Sequence, residues 1–364
     1  MANNLAAFTP IKYSLKLVSL LYNDTLYPNI TNTNYEGEIK DSGDRVRVRT
    51  AAKIALTPYT KGMTLVKQDL NPTTEDLIVD QAQSFSFIVD DIDAMQNDIK
   101  TIEEYASNTK NDMAEVVDTD LLSYAVKNVN ASNMVGTPYA TGTAAVAVTT
   151  GVVTGTGTTF TAGMVGGIFT SVSLPGRSYL VTAFTSATSI TIKDLDGVAY
   201  TGGAVAAAAF SIAGAVAIAL TSSNVYQNIV ALRTVLGKSL APKEGRFIVV
   251  NSQFEGLLLQ APQFIPAVQT AYNDVVKMGL IGKIAGFEIY TSELLAGDNT
   301  NGYFFLAGTK EYLALAMQIM KTSVVPSESD PNSFVSTCKG LLVWGRKVFA
   351  GNRAKGAVLR ATLA

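Results

Sequence analysis

Residues 246–250 read RFIVV and residues 282–290 read GKIAGFEIY. The first stretch places four apolar residues after one arginine, which is typical of a buried strand. The second alternates apolar and polar residues, so we predict a strand at 284–290 that contains Gly286. Helix patterns accompany them: one helix is predicted from Ser223 to Gly237, and another begins at 253–259. Further strands are predicted at 304–307, 341–344 and 358–363, so the chain after about residue 216 is expected to be α/β.

The composition of the chain excludes several kinds of chemistry. It has 364 residues, of which 48% are hydrophobic and 16% charged, below the usual charged fraction of about 25%. Histidine is absent, which removes Ser-His-Asp and Cys-His nucleophile systems and histidine metal sites. The single cysteine, Cys338, excludes a disulfide within the chain, and we expect it to be a plain buried thiol. The net charge of −2 lacks the basic excess of a nucleic-acid-binding domain, so a structural protein is favoured over an enzyme.

Charge divides the chain more sharply than any linker. The 105 residues between Lys127 and Arg233 contain four charged side chains, and they are rich in Thr, Gly, Ala and Val. This composition favours strands and tight turns over helices. We predict that residues 131–215 form a small all-β domain inserted into a different host, because bulky residues recur through it; a low-complexity linker is the alternative. Strands are predicted at 144–149, 168–172, 179–184, 189–193 and 204–212.

An uncharged stretch of twenty residues at 202–221 is long enough to span a bilayer. It consists largely of alanine and glycine and has no close basic flank, so we predict a closing strand at 205–212 followed by a buried connector. The N-terminus lacks the basic start of a secretory signal.

The region before the all-β stretch changes pattern twice. Residues 45–49, RVRVR, alternate charge and valine, and residues 83–89 place Phe85 and Phe87 on one face of a second strand. The long polar stretch between them, 50–76, predicts an extended hairpin-like loop. From about Asp91 the apolar spacing becomes helical and predicts a helix of roughly 35 residues, or about 50 Å.

Several motifs resemble ligand sites, and a simpler role is favoured for each. Asp90, Asp91 and Asp93 suggest calcium, but acidic groups at a helix start are favoured by the helix dipole, so capping is the preferred interpretation. Residues 194–197 resemble the start of a calcium loop without its closing acid, and we predict a hairpin turn. Residues 155–160 begin like a dinucleotide loop but lack the third glycine, and we predict a β-turn.

Two sets of charged residues have a functional interpretation as well as a structural one. The carboxylates of the long helix are expected to form a solvated face rather than an acid/base pair; they are Glu103, Glu104, Asp112, Glu115, Asp118 and Asp120. The basic residues near the C-terminus suit either non-specific phosphate contact or pairing with acidic groups of a neighbouring subunit; they are Arg346, Lys347, Arg353, Lys355 and Arg360. We predict no catalytic residue, no cofactor and no metal site.

The order of these segments resembles the major capsid proteins of tailed bacteriophages, with their Hong Kong 97-type fold. The resemblance rests on residues 34–37 (NYEG) and 43–48 (GDRVRV), on 246–250 and 282–290, and on the ending 340–348 (GLLVWGRKV). It covers nearly the whole chain except the all-β stretch. Residues 81–89 resemble the returning strand of the family's extended loop, and the helix from Asp91 resembles its spine helix. Some relatives crosslink subunits through a loop lysine; Lys53, Lys61 and Lys67 lie in that region, and we do not predict a crosslink.

The resemblance implies an α+β phage major capsid fold with an inserted small all-β domain. The implied parts are an N-terminal arm (1–40), an extended loop with flanking strands (41–90), the spine helix of a peripheral domain (91–130), the inserted domain (131–215), a mainly axial domain (216–335) and C-terminal strands of the peripheral domain (336–364).

The implied function is a non-enzymatic coat protein that self-assembles into hexamers and pentamers of the icosahedral head of a tailed phage. Implied partners are further copies of the chain and scaffolding and portal proteins. The shell encloses phage DNA without specific recognition, uses no membrane, and is assembled in the host cytoplasm. The alternatives are another virion structural protein, such as a decoration or tail-tube protein, and a carbohydrate-binding adhesion protein. A third alternative is an unusual enzyme that uses only carboxylates or lysines.

Overall fold

The computed structural model describes residues 25–35, 45–50, 54–64, 67–69, 71–90, 101–195, 197–262, 283–325 and 335–363. In these ranges the protein has the expected α+β architecture, with four helices and four sheets. The helices are α1 (Tyr27–Ile30), α2 (Thr101–Lys127), α3 (Val225–Lys238) and α4 (Ser252–Leu259). The strands are β1 (Arg45–Thr50), β2 (Thr73–Ile78), β3 (Gln81–Asp90), β4 (Met134–Val135), β5 (Thr137–Tyr139), β6 (Thr143–Val146), β7 (Val152–Thr156), β8 (Ile168–Ser171), β9 (Tyr179–Ser186), β10 (Ser189–Asp194), β11 (Val205–Ala208), β12 (Phe210–Val216), β13 (Ile218–Leu220), β14 (Arg246–Val250), β15 (Lys283–Ile284), β16 (Phe287–Thr291), β17 (Gly297–Asp298), β18 (Gly302–Thr309), β19 (Ala314–Val325), β20 (Val335–Lys347) and β21 (Gly356–Leu363).

A mixed sheet forms the centre of the body. Its main strand order is β13-β21-β18-β14-β16-β15, and β14 runs parallel to β16 but antiparallel to β18. All five residues of β14 are buried, as their apolar pattern predicts for a strand covered on both faces. The principal core combines this sheet with α2, α3 and α4, which explains the helical apolar spacing of Val225, Ile229, Leu232 and Leu236.

The strands between residues 137 and 216 form a separate antiparallel sheet of eight strands, in the order β11-β6-β7-β10-β9-β8-β12-β5. A core of its own lies within it, where Phe210 contacts Phe160, Phe169 and Tyr139 at ring distances of 5.6–6.0 Å. We call this unit the β module. Its packed aromatic core argues against the linker alternative, while its status as an insertion stays a prediction.

The predicted strands of the β module agree with β6, β8, β9 and β10, and two details differ. The predicted strand 204–212 is divided into β11 and β12 at Ala209. Strand β7 was not predicted, because its Gly155 suggested a turn. A Cβ at Gly155 would lie 2.2 Å from Thr158 Oγ1, so the glycine makes room for the following loop within an otherwise regular strand.

The extended loop returns through a different strand from the one predicted. Strand β1 pairs in antiparallel register with β2, not with residues 81–89. Strand β3 instead pairs with β20 along its whole length, and β20 pairs with β19. The prediction of 81–89 as the returning strand is therefore wrong. The sequence of β2, TTEDLI, buries one residue, Leu77, and so carries almost none of the apolar alternation that marks a strand.

The long helix α2 is described from Thr101 onward, and residues 91–100 lie outside the described ranges. Its 27 residues correspond to about 40 Å. Val117, Leu121 and Tyr124 are buried on one face, as the spacing predicted.

Sheet membership does not follow the predicted domain boundaries. Strand β19, expected in the axial part, pairs with β20, whereas the C-terminal β21 lies in the central sheet beside β18. The assignment of these sheets to axial and peripheral domains stays a prediction. Residues 202–221 form parts of strands β11 to β13, and no helix in the described part of the chain is long and apolar enough to cross a membrane.

The predicted strand 284–290 is a two-residue hairpin. Ile284 pairs with Phe287, and the loop residues Ala285 and Gly286 have φ values of 49° and 86°. Positive φ at both central positions is the signature of a type I′ turn, which matches the twist of the flanking strands.

Two substitutions test the assignment of this turn. A Cβ at position 286 would meet no atom within 4 Å, so Gly286→Ala carries a conformational cost alone. We expect Gly286→Ala to destabilise the subunit by about 1 kcal/mol and Ala285→Gly to be neutral or slightly stabilising, as measured by chemical denaturation. Equal effects of the two substitutions would contradict the turn assignment.

Candidate assembly surfaces

The hairpin formed by β1 and β2 has a small buried base and an exposed tip. Val46 and Leu77 are buried opposite one another, and Arg47 binds Asp76 through two hydrogen bonds of 2.7 and 2.9 Å. This ion pair lowers the pKa of the Asp76 carboxyl, chiefly through the hydrogen bond from Arg47. At the junction with the body, the Ala350 N–H donates to the Glu75 carboxylate at 3.1 Å.

The hairpin tip, residues 54–72, exposes apolar side chains. Ile54 is 56% exposed, Leu56 95% and Tyr59 67%. The two sides of the tip are joined by Gln68, whose amide donates to the Ala55 carbonyl at 2.7 Å and accepts from the Ala55 N–H at 3.1 Å. Large exposed apolar residues grouped on a projection are typical of a surface that binds another protein. The sequence signal for this surface was present, since these residues interrupt the polar stretch 50–76.

A second contact joins the arm segment, residues 25–35, to the long helix. The buried Asp118 carboxylate accepts the backbone N–H groups of Leu26 and Tyr27, both at 2.9 Å. Farther along, the Asn32 N–H donates to the Leu313 carbonyl at 2.8 Å. Residues 1–24 and 36–40 of the predicted arm lie outside the described ranges.

Asp120, two residues farther along α2, joins the helix to strand β20. Its carboxylate accepts the Trp344 indole N–H at 3.1 Å and lies 2.6 Å from the Arg346 guanidinium. Arg346 also lies 4.9 Å from the ring centre of Tyr124. Burial raises the pKa of both Asp118 and Asp120, and their hydrogen bonds partly oppose that rise.

The predicted solvated face of carboxylates is therefore wrong at these two positions. Asp118 and Asp120 face the body because the segments that approach α2 present N–H donors there. Asp112 is exposed as predicted, and the side chains of Glu103 and Glu104 lie outside the described part.

Three of the five C-terminal basic residues have partners within the chain. Arg360 is 1% exposed and donates to the backbone carbonyls of Gly214 at 2.8 Å and Asn301 at 3.0 Å. Burial lowers the pKa of its guanidinium. Lys355 pairs with Glu311, and Arg346 pairs with Asp120. These three side chains therefore make contacts within the chain, while the predicted phosphate or intersubunit contact of the five basic residues stays a prediction.

The ligand-like motifs have structural roles where they are described. The Gly197 N–H donates to the Asp194 carbonyl at 2.8 Å, which confirms the predicted turn. Gly157 has a φ of 69° and follows β7, at the position where the sequence predicts a β-turn. Asp91, Asp93, Asp196 and the side chains of Asp90 and Cys338 lie outside the described part. Among the residues that the structure does describe, no group of three or more His, Cys, Asp or Glu side chains is arranged to hold a metal ion.

Comparison with solved structures gives the fold. The chain is similar to a structure from Mycobacterium phage Che8, with 19% identity over 97% of both chains and a TM-score of 0.65. It is also similar to the capsid structure of cyanophage P-SCSP1u (11% identity, 100% of this chain and 96% of that chain, TM-score 0.62) and to the capsid of cyanophage Pam1 (14% identity, 100% of both chains, TM-score 0.61). These likenesses show that the architecture is a phage capsid fold. No curated protein matched the chain.

The family follows from the sequence. A model of a phage capsid protein family matches residues 177–359, just over half of the chain. The chain therefore belongs to this phage capsid protein family. It is a major capsid protein that forms the shell of the phage head, a structural role in the virion.

The contact between the arm segment and α2 gives a stability prediction. We expect Asp118→Asn to lower the free energy of unfolding by about 1–3 kcal/mol, because the amide retains one acceptor and turns an N–H donor toward a buried N–H. The exposed Asp112→Asn on the same helix is the control and should change stability by less than about 0.5 kcal/mol. Equal losses in denaturation experiments would contradict a special role for Asp118.

The raised pKa of Asp118 also predicts a pH dependence. A carboxyl whose folded-state pKa lies above its ordinary value of 3.8 contributes stability that is complete below that value and is lost as pH rises through the folded-state pKa. The stability difference between wild type and Asp118→Asn should therefore shrink as pH rises above about 4. Denaturation at several pH values checks this, and a difference that grows with pH would contradict it.

Proposed function

We propose that the subunit assembles into hexamers and pentamers of an icosahedral head, and that the hairpin tip and the N-terminal arm clamp neighbouring subunits. The exposed apolar tip carries this proposal. A two-stranded hairpin is marginally stable alone in water, and among the described residues of the tip Ile54, Leu56 and Tyr59 are exposed rather than packed in a core. Contact with a neighbour supplies the missing burial.

The energetic scale supports a contact of this kind. Full burial of one leucine side chain contributes about 1.5–3 kcal/mol, against the cost of ordering the loop that carries it. The Gln68 bridge across the tip reduces that ordering cost, because it holds the two sides of the loop together in the free subunit. Repetition around a closed ring multiplies the same contact in every capsomer.

We also propose the partners of the subunit and its place of assembly. The subunit acts without catalysis, assembles in the host cytoplasm with scaffolding and portal proteins, and encloses DNA without reading its sequence. The net charge of −2 and the internal contacts of Arg346, Lys355 and Arg360 support weak, non-specific contact with DNA.

The β module is proposed to be a domain inserted at residues 131–215 that faces outward from the shell. Its sheet has a core of its own, and Ile168, Leu180 and Leu195 attach it to the principal core of the body.

The tip contact is tested by Leu56→Asp. The side chain is 95% exposed in the subunit, so we expect unchanged folding, but the charge would be desolvated in a shell contact. The concentration needed for assembly should rise by about tenfold or more, measured by light scattering and electron microscopy. Val172→Asp, at a 75% exposed position in the β module, is the control and should assemble normally. Normal assembly of Leu56→Asp would overturn the tip contact.

Limited proteolysis tests the clamp independently. Trypsin should cut the free subunit at the exposed Lys61 and Lys67 of the tip, and assembled shells should protect both sites. The same cleavage rate in both states would contradict the clamp.

A further inference from the structure

Leu240 combines two unfavourable features in the free subunit. Its side chain is 91% exposed, and its backbone has a φ of 57°, in the left-handed region. A non-glycine residue in this conformation is strained, and glycine or asparagine usually occupies the position that follows a helix end. Leucine is unfavourable at this position because its apolar side chain faces water and its backbone is strained. We therefore expect a compensating contact outside the isolated subunit.

The loop that carries Leu240 is held firmly at both sides. The Ala241 N–H donates to the Leu236 carbonyl at 3.0 Å and closes the end of α3. The Ser239 hydroxyl donates to Asn133 Oδ1 at 2.6 Å, and Ala241 is buried. Leu240 therefore projects from an anchored turn rather than from a loose loop.

A buried arginine adds to this support. Arg246 is 4% exposed and donates to the backbone carbonyls of Ala241 at 2.9 Å and Pro242 at 2.6 Å. Burial lowers the pKa of its guanidinium. A charged side chain committed to two loop carbonyls is costly to bury, and it fixes the backbone on the C-terminal side of Leu240.

We propose that Leu240 is an anchor residue that inserts into an apolar recess on a neighbouring copy of this chain. The proposal rests on the shell function and adds a contact distinct from the hairpin tip. A rigid apolar side chain with a polar rim has the form of an interface hot spot, because pre-organisation lowers the cost of binding and the rim excludes water.

The surroundings of Leu240 favour a protein partner, and specifically a second copy. The exposed residues nearest in sequence are Lys238, Pro242, Lys243 and Glu244, so the rim carries both signs of charge. A mixed rim suits another protein surface better than nucleic acid, which would select a uniformly basic one. Copies of this chain are the protein surfaces that the head shell places against every subunit.

The strain at Leu240 permits a test in which stability and assembly change in opposite directions. Leu240→Gly relieves the backbone and removes the apolar side chain, so its thermal midpoint should equal or exceed that of wild type. Its concentration threshold for assembly should nevertheless rise by about tenfold, as expected for the loss of one buried leucine. Leu240→Asn, which also tolerates the left-handed region, should behave in the same way.

Two matched variants complete the test. Ala285→Gly relieves the same kind of strain at a φ of 49° without removing a large side chain, and it should assemble at the wild-type concentration. Leu240→Met keeps both the strain and the apolar side chain, and it should assemble within about threefold of wild type.

The outcomes separate this inference from the proposed function. Normal shells from Leu240→Gly and Leu240→Asn would overturn the Leu240 contact and leave the clamp intact. An equal rise for Ala285→Gly would also overturn it, because strain relief alone would then explain the effect. A wild-type protein that forms no shells or capsomers would instead defeat the proposed function.

Discussion

Charged side chains removed from water join parts of this subunit that are distant in sequence. Asp118 connects the arm segment to the long helix, and Asp120 connects that helix to Trp344 of β20. Arg360 connects the central sheet to the β module through the Gly214 carbonyl, and Arg246 fixes the turn after α3. A charge taken from water must keep hydrogen-bond partners, so each of these groups holds its surroundings in one arrangement. The buried Asn133 and Tyr312 extend this constraint, since they donate to the carbonyls of Gly356 and Ala125.

Some apolar residues of the subunit are buried in its own cores, and others remain exposed on its surface. The central sheet and the β module bury their apolar residues within the subunit, partly against each other, whereas the hairpin tip and Leu240 leave large apolar side chains in water. A coat protein needs both kinds of surface. Buried cores stabilise the individual subunit, and exposed apolar surfaces favour its association with other proteins.

Sequence patterns were informative where one element alone determines the pattern. The fully apolar run of β14, the helical spacing of α3 and the bulky residues of the β module all indicated their structures correctly. The patterns were less informative where the burial of a residue depends on a neighbouring segment. Strand β2 buries Leu77 alone and looked like loop, and Gly155 looked like a turn although β7 continues through it. Gly286 was placed inside a strand, because periodicity does not register a two-residue turn.

The amino-acid sequence by itself determined the lack of histidine chemistry, the predominance of strands in residues 131–215 and, through the family resemblance, the α+β class. Composition, hydrophobic period and segment order can all be read along the chain without knowing which segments meet. The tertiary structure decided which strands pair, and why Asp118 and Asp120 lie inside rather than on a solvated face. It also decided that Leu56 and Leu240 lie outside. These outcomes depend on which distant segment covers a residue, and hydrogen-bond partners 92 and 224 residues apart leave no mark on local spacing.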